Sequence, residues 1–186
     1  TNVDLVKNRI EAILKLNIPR VAITLSLDGY KELHDKIRGI KGNYDKVMGM
    51  ARMLHELQSQ YKNLYFFFGY TISRYNEDKL IETINAVMSD LDFVSYNNFH
   101  VNVAQISSHY YKNENNEIIG SKDKIRDAIK FLMKHRKRSV DPMDLVEQSF
   151  LKYLIDYVET GKSPMRSRAL DASLFLDSYG DVYPSI

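Results

Sequence analysis

Three short stretches in which apolar residues alternate with small or polar ones constrain this chain more than anything else in it. Val21, Ile23, Leu25 and Leu27 alternate with Ala22, Thr24, Ser26 and Asp28, a period-two pattern that predicts a strand ending at Gly29. Residues 64–73 form a second, unusually aromatic strand, and residues 99–106 a third. Helical periodicity fills the gaps. Val47, Ala51, Leu54 and Leu57 lie on one face of a helix over 43–60, and Leu80, Ile84, Val87 and Leu91 on one face of a helix over 77–91. Residues 4–16, with Val6, Ile10, Ile13 and Leu14, form another helix, ended by Asn17 and Pro19. Strands that alternate with helices imply βαβ units and a parallel sheet.

After Ser107 the pattern changes. Residues 110–120 are a polar loop, residues 122–137 and 142–160 two helices, and residues 172–184 a β-hairpin turning at Tyr179, Gly180 and Asp181. With 44% hydrophobic and 27% charged residues, the chain is not a disordered one. Its 186 residues suffice for one domain with a core of its own and a small appendage. The formal net charge of +2 gives no argument for nucleic acid. No apolar run reaches the roughly 18–20 residues of a membrane span, and no signal peptide opens the sequence, so a soluble, cytoplasmic domain without a membrane partner is expected. There is no cysteine, which excludes a disulfide, a thiolate nucleophile and any Cys-held metal or iron–sulfur site in this chain. The five histidines include no pair three to five residues apart, so the sequence holds no helical metal pair.

In a parallel sheet, functional groups collect where strands end and βα loops begin. Ser26 and Asp28 share a face with Ala22 and Thr24; Thr71 and Ser73 share one with Phe67 and Gly69, and Asn76 follows; His100, Asn102 and Ala104 share a third. Any one strand end of this kind is as well explained by turns and caps. Three in concert favour a polar-lined cavity, whose buried groups a ligand would satisfy. Arg38 offers a bidentate partner for a carboxylate or phosphate, or an ordinary salt bridge to Asp35 or Glu32. Gly39 and Gly42 hint at a phosphate loop but match no established phosphate motif. The basic run from Lys130 to Arg138 fits the end of a helix, whose dipole favours cations, better than an RNA surface, because no aromatic cluster interleaves it.

Ser26-Leu27-Asp28-Gly29 followed by His34-Asp35-Lys36-Ile37-Arg38-Gly39 and Gly42 resembles the fourth strand and following loop of radical S-adenosylmethionine enzymes, where the recurrent text is S-L-D-G and then H-D-x-x-R-G-x-x-G. Residues 71–76, Thr-Ile-Ser-Arg-Tyr-Asn, are similar to the fifth strand of that family, and Thr1-Asn2 to the end of its third. The tail resembles the opening of a SPASM domain, the auxiliary iron–sulfur domain of many such enzymes, with Ser167 and Ser185 at the two cysteine positions and Gly180 between them.

The resemblance implies strands four to six of a partial (β/α)6 barrel over 1–106, a helical connecting segment over 107–165 and a truncated SPASM-like start over 166–186. It implies an iron–sulfur oxidoreductase that cleaves S-adenosylmethionine reductively and abstracts a hydrogen from a small-molecule or peptide substrate. Ser26, Asp28, Arg38, Ser73, Arg74 and Asn76 would bind S-adenosylmethionine. The C-x3-C-x2-C loop for the [4Fe–4S] cluster and the G-G-E segment belong before strand four and are not in this sequence. The chain by itself is therefore expected to hold neither cluster nor cofactor, and to be inactive. Half a barrel would also leave an open face on which two copies could pair as a homodimer. The alternatives are a barrel-type enzyme acting on a phosphorylated metabolite and a non-catalytic module binding RNA or protein.

Overall fold

The computed structural model describes residues 3–16, 18–106, 113–115, 117–137, 140, 142–164, 174–176 and 179–183. Helix α1 (Val3–Leu14) leads into β1 (Val21–Ser26). Helices α2 (Lys31–Arg38) and α3 (Asn43–Gln60) connect it to β2 (Leu64–Ile72), and α4 (Leu80–Asp90) and a 3-10 turn (Tyr96–Asn98) connect that to β3 (Phe99–Val103). Helices α5 (Lys122–His135) and α6 (Pro142–Thr160) follow, and β4 (Phe175–Leu176) pairs antiparallel with β5 (Val182–Tyr183). No described helix is long and apolar enough to cross a membrane.

The protein is thus a mixed α/β chain around a three-stranded parallel sheet of order β1-β2-β3. Period-two patterning sorts its faces. Leu25, Phe66, Phe68, Tyr70, Phe99 and Val101 are buried. Phe68 stacks on Phe99 at 5.3 Å and meets Phe66 edge-on at 6.0 Å. Such aromatic pairs add roughly 0.5–1.5 kcal/mol beyond their buried area. Helix α3 buries Met48, Ala51, Leu54 and Leu57, and α4 buries Leu80, Ile84 and Val87. On the other face, Ala22, Thr24, Ser26, Thr71 and Asn102 are exposed, and Phe67 and His100 half-buried. The register sets Ser26 beside Gly69 and Gly69 beside His100, so the three strands contribute to common rows across this open face.

Where the structure differs from the expected elements, the cause is local. Residues 31–38, expected as loop, form α2: eight residues are too short to display a helical repeat, and the side chain it buries is the polar His34. Helix α4 starts at Leu80 rather than Glu77, because residues 73–76 are tied into a turn at the end of β2. Strand β3 stops at Val103, three residues short of Ile106. The hairpin is present over the described part of 172–184, as two-residue strands. Thr1, Asn2, Ser107, Tyr110, Tyr111, Arg138, Ser167 and Ser185 lie outside the described residues.

Candidate functional site

The carboxyl end of β1 is gripped by α2. His34 and Arg38 are four residues apart and therefore share one side of that helix. His34 Nδ1 accepts the backbone N–H of Asp28 at 3.1 Å, and Arg38 Nε lies 2.6 Å from Asp28 Oδ2. Asp28 is buried and also receives the Thr71 N–H on Oδ1 at 3.4 Å. Helix α2 ends at Gly39, whose φ of 66° is a left-handed cap that glycine takes without strain.

Asn76 ties the ends of β1 and β2 together. Its Oδ1 accepts the Ser73 N–H at 2.7 Å and the Ser73 hydroxyl at 3.2 Å. Its Nδ2 donates to the carbonyls of Asp28 at 2.9 Å and Thr71 at 3.0 Å. The buried Tyr70 hydroxyl donates to the Asn76 carbonyl at 2.8 Å. Above these groups opens a cleft of about 600 Å³, walled by Asp28, Arg38, Thr71, Ser73, Asn76 and Tyr75 together with Leu33, Ile37 and Ile118. A cleft of about 670 Å³ lies instead within the helical layer, lined by Tyr44, Arg52, Glu82 and Asp90. Its larger volume does not place it at the strand ends, where the polar groups of this sheet converge.

Of the six residues expected at a cofactor site, Asp28, Arg38, Ser73 and Asn76 meet in the 600 Å³ cleft. Ser26 lies beside it, in a smaller hollow of about 230 Å³ that Arg38 also lines. Arg74 does not join them: its guanidinium pairs with the Glu117 carboxylate and its N–H donates to the Ile118 carbonyl at 3.0 Å. Asp28, Ser73 and Asn76 bond chiefly to the chain itself, so they shape the cleft. The side chains of Ser26 and Thr71 make no hydrogen bond among the described residues, and neither do the Nη groups of Arg38, so these can meet a ligand. Sequence reasoning set Thr71 on the polar face without counting it among the cofactor contacts, and it passed over the gripping role of His34; the four-residue spacing of His34 and Arg38 was the available signal.

Gly39 and Gly42 bracket a site for the chain's own carboxylate rather than a phosphate. Asp35 accepts the N–H of Gly42 at 2.5 Å and of Tyr44 at 2.8 Å, occupying donors at the start of α3. The Tyr44 N–H, first, holds the Asp35 carboxyl below its ordinary pKa; burial opposes it, and the Gly42 N–H adds to the fall.

His34 is fully buried, and that burial chiefly lowers its pKa; Arg38 adds to the fall while Asp28 and Asp35 oppose it. The neutral ring accepts at Nδ1 and must carry its proton on Nε2. Asn43 Nδ2 lies 2.8 Å from that nitrogen, and because an Nε2–H needs an acceptor the amide is assigned the other way round, with Oδ1 toward the ring. The sign for stability follows. The unfolded chain takes up this proton first, near 6.5, and the folded chain only at lower pH. Stability is therefore free of this penalty above 6.5 and falls as pH drops below it, by up to about 1.4 kcal/mol per pH unit. Urea unfolding at pH 7.5 and pH 5.5 should show this loss shrinking in His34→Gln; an unchanged loss would rule out His34 as its source.

No protein-family model matches the chain, and no curated protein matches it in sequence. Among the described residues, no group of three His, Asp or Glu side chains is arranged to hold a metal ion.

Proposed function

We propose that this chain is the second half of the catalytic barrel of a radical S-adenosylmethionine enzyme, and that S-adenosylmethionine lies in the cleft at the carboxyl ends of β1 and β2. The observation that carries the reading is the convergence there of Asp28, Arg38, Ser73 and Asn76 from two parallel strands and α2. The donor set suits the ligand. Arg38 gives Nε to Asp28 and keeps its Nη fork for a carboxylate, Ser26 and Thr71 offer hydroxyls to a ribose, and Leu33, Ile37 and Ile118 give an apolar wall. The iron–sulfur cluster does not suit it: with no cysteine, the chain has no thiolate to give, and the ligands would come from elsewhere. When cleaved at a reduced cluster, S-adenosylmethionine supplies a 5′-deoxyadenosyl radical that takes a hydrogen atom from a small-molecule or peptide substrate. What this chain contributes is orientation: α2 fixes Asp28, Asp28 fixes Arg38, and Asn76 fixes the loop after β2.

Calorimetry with S-adenosylmethionine tests the reading on the protein that carries the cluster-binding half as well, because the chain by itself is expected to hold no cofactor. Binding is expected, and Ser26→Ala with Thr71→Val should weaken it about tenfold, near 1.4 kcal/mol. Both side chains are exposed, so the unfolding midpoint should not move. No binding at millimolar ligand, or affinity indifferent to both substitutions, would refute the assignment.

In the same reading the 174–183 hairpin begins a SPASM-like unit, and the open sheet face is where three further strands close the barrel. A second copy supplies three strands as well, which makes a homodimer the expected state of the isolated chain. Light scattering across a concentration series checks this, and a mass fixed at 21.7 kDa at the highest concentration would reject it.

A further inference from the structure

His100 belongs to the open face of the sheet, not to the cleft. It sits on β3 in one row with Gly69 and Ser26, and its side chain is 37% exposed. Its Nδ1 lies 2.8 Å from Glu147 Oε2 on α6, and the Phe150 ring tilts over it with centroids 5.1 Å apart. A carboxylate can only accept, so Nδ1 carries a proton, and in the neutral ring Nε2 is the nitrogen that keeps its lone pair. Glu147 is 17% exposed, and its second oxygen, Oε1, is buried with no hydrogen-bond partner among the described residues. A buried carboxylate oxygen left unpaired is costly to a fold. Anchoring α6 to β3 alone would be served as well by a neutral amide. The carboxylate does what an amide cannot: as an acceptor only, it fixes one tautomer of the ring, with Nε2 the nitrogen turned away from it.

We propose that His100 is a proton-accepting residue for a ligand lying on the open sheet face, with Glu147 as its positioning residue. The ligand it suits is a small polar molecule presenting an O–H or an ammonium N–H to Nε2. Two strand spacings, about 9.6 Å, separate the backbone of His100 from that of Ser26 in the same row. That distance keeps a small ligand on His100 clear of the Ser26 hydroxyl, which is given to a ribose at the strand ends. The inference does not depend on what occupies the cleft.

The test has an internal control. His135 also holds its Nδ1 proton against an oxygen, the Phe131 carbonyl at 2.8 Å, but that acceptor is neutral, and His135 is the more exposed ring. Diethyl pyrocarbonate acylates the unprotonated ring nitrogen, and mass spectrometry reads the rate at each histidine. With the whole chain at pH 8, His100 should react faster than His135 despite its lower exposure. Glu147→Gln should slow His100 at least threefold and leave His135 unchanged. Long-range proton–nitrogen NMR should show His100 as the Nδ1–H tautomer. S-adenosylmethionine should not protect His100, because the cleft at the strand ends does not include it. A rate no greater than that of His135, indifference to Glu147→Gln, or the opposite tautomer would overturn the proposal, and protection by S-adenosylmethionine would overturn its independence from the cleft.

Discussion

Replacing Asn76 with leucine should destabilise the protein by about 2–4 kcal/mol, although leucine repeats the branching of asparagine's heavy atoms. Asn76 is 1% exposed, and its amide makes four hydrogen bonds, two as acceptor and two as donor. Leucine makes none of them. The Asp28 and Thr71 carbonyls and the Ser73 N–H would then be left in a buried place without this partner, and it is the unpaired group, more than the lost bond, that carries the cost. Aspartate is no remedy. It keeps the acceptor but sets a negative charge against two carbonyl oxygens, so Asn76→Asp should fall in the same range. Urea denaturation of the three proteins at neutral pH measures this. A shift below about 0.5 kcal/mol, the range of ordinary surface substitutions, would show that the amide does not join the two strands. The prediction also separates two meanings of a site residue. If Asn76 contacts ligand only, the variant loses affinity at full stability; with the hydrogen bonds found here, stability falls first.

The parts of this fold legible in the sequence are those written in a repeating pattern. Period two over 21–27, 64–73 and 99–106 located all three strands of the sheet, and the apolar stripes of α1, α3 and α4 located those helices. Alternation also sorted the faces: Ser26, Thr71 and Asn102 are exposed as their positions require, and Leu25, Phe68 and Val101 buried. What stayed hidden depends on partners distant in the chain. Apart from its four-residue spacing from His34, nothing local distinguishes Arg38, which reaches back to Asp28, from Arg74, which turns to Glu117. In the sequence both are arginines shortly beyond a predicted strand. The turn after β2 shortened α4 because Ser73 and Asn76 bond each other, a competition between side chain and backbone that helical periodicity does not register. The pairing of His100 with Glu147 joins residues 47 apart, and no motif announces it.

The basic run at the end of α5 gives the other large expected effect. Lys130, Lys134, His135 and Lys137 are exposed, as side chains complementing a helix C-terminus should be. Arg136 is the exception, its side chain 2% exposed. It donates through Nη1 to the Phe99 carbonyl at 2.8 Å, and through Nη2 to Asp144 on α6 at 3.2 Å. Asn97 reinforces the junction by accepting the Lys137 N–H at 2.8 Å and donating to Asp144 at 3.3 Å. One guanidinium therefore joins the start of β3, the end of α5 and the start of α6. Arg136→Met should cost about 3–5 kcal/mol, the range for breaking a buried ion pair by removing one partner, because methionine fills the space and leaves Asp144 and the Phe99 carbonyl without their cation. Lysine should restore little: a single ammonium cannot reproduce the fork that reaches Phe99 and Asp144 together. Lys130→Gln and Lys134→Gln, carrying the same change in charge at exposed positions, should move stability by less than about 0.5 kcal/mol. Denaturant unfolding of these four variants isolates burial from charge. Equal small losses at Arg136 and Lys134 would return the whole run to the surface, whereas a large loss confined to Arg136 makes it the pin that seats α5 and α6 against β3.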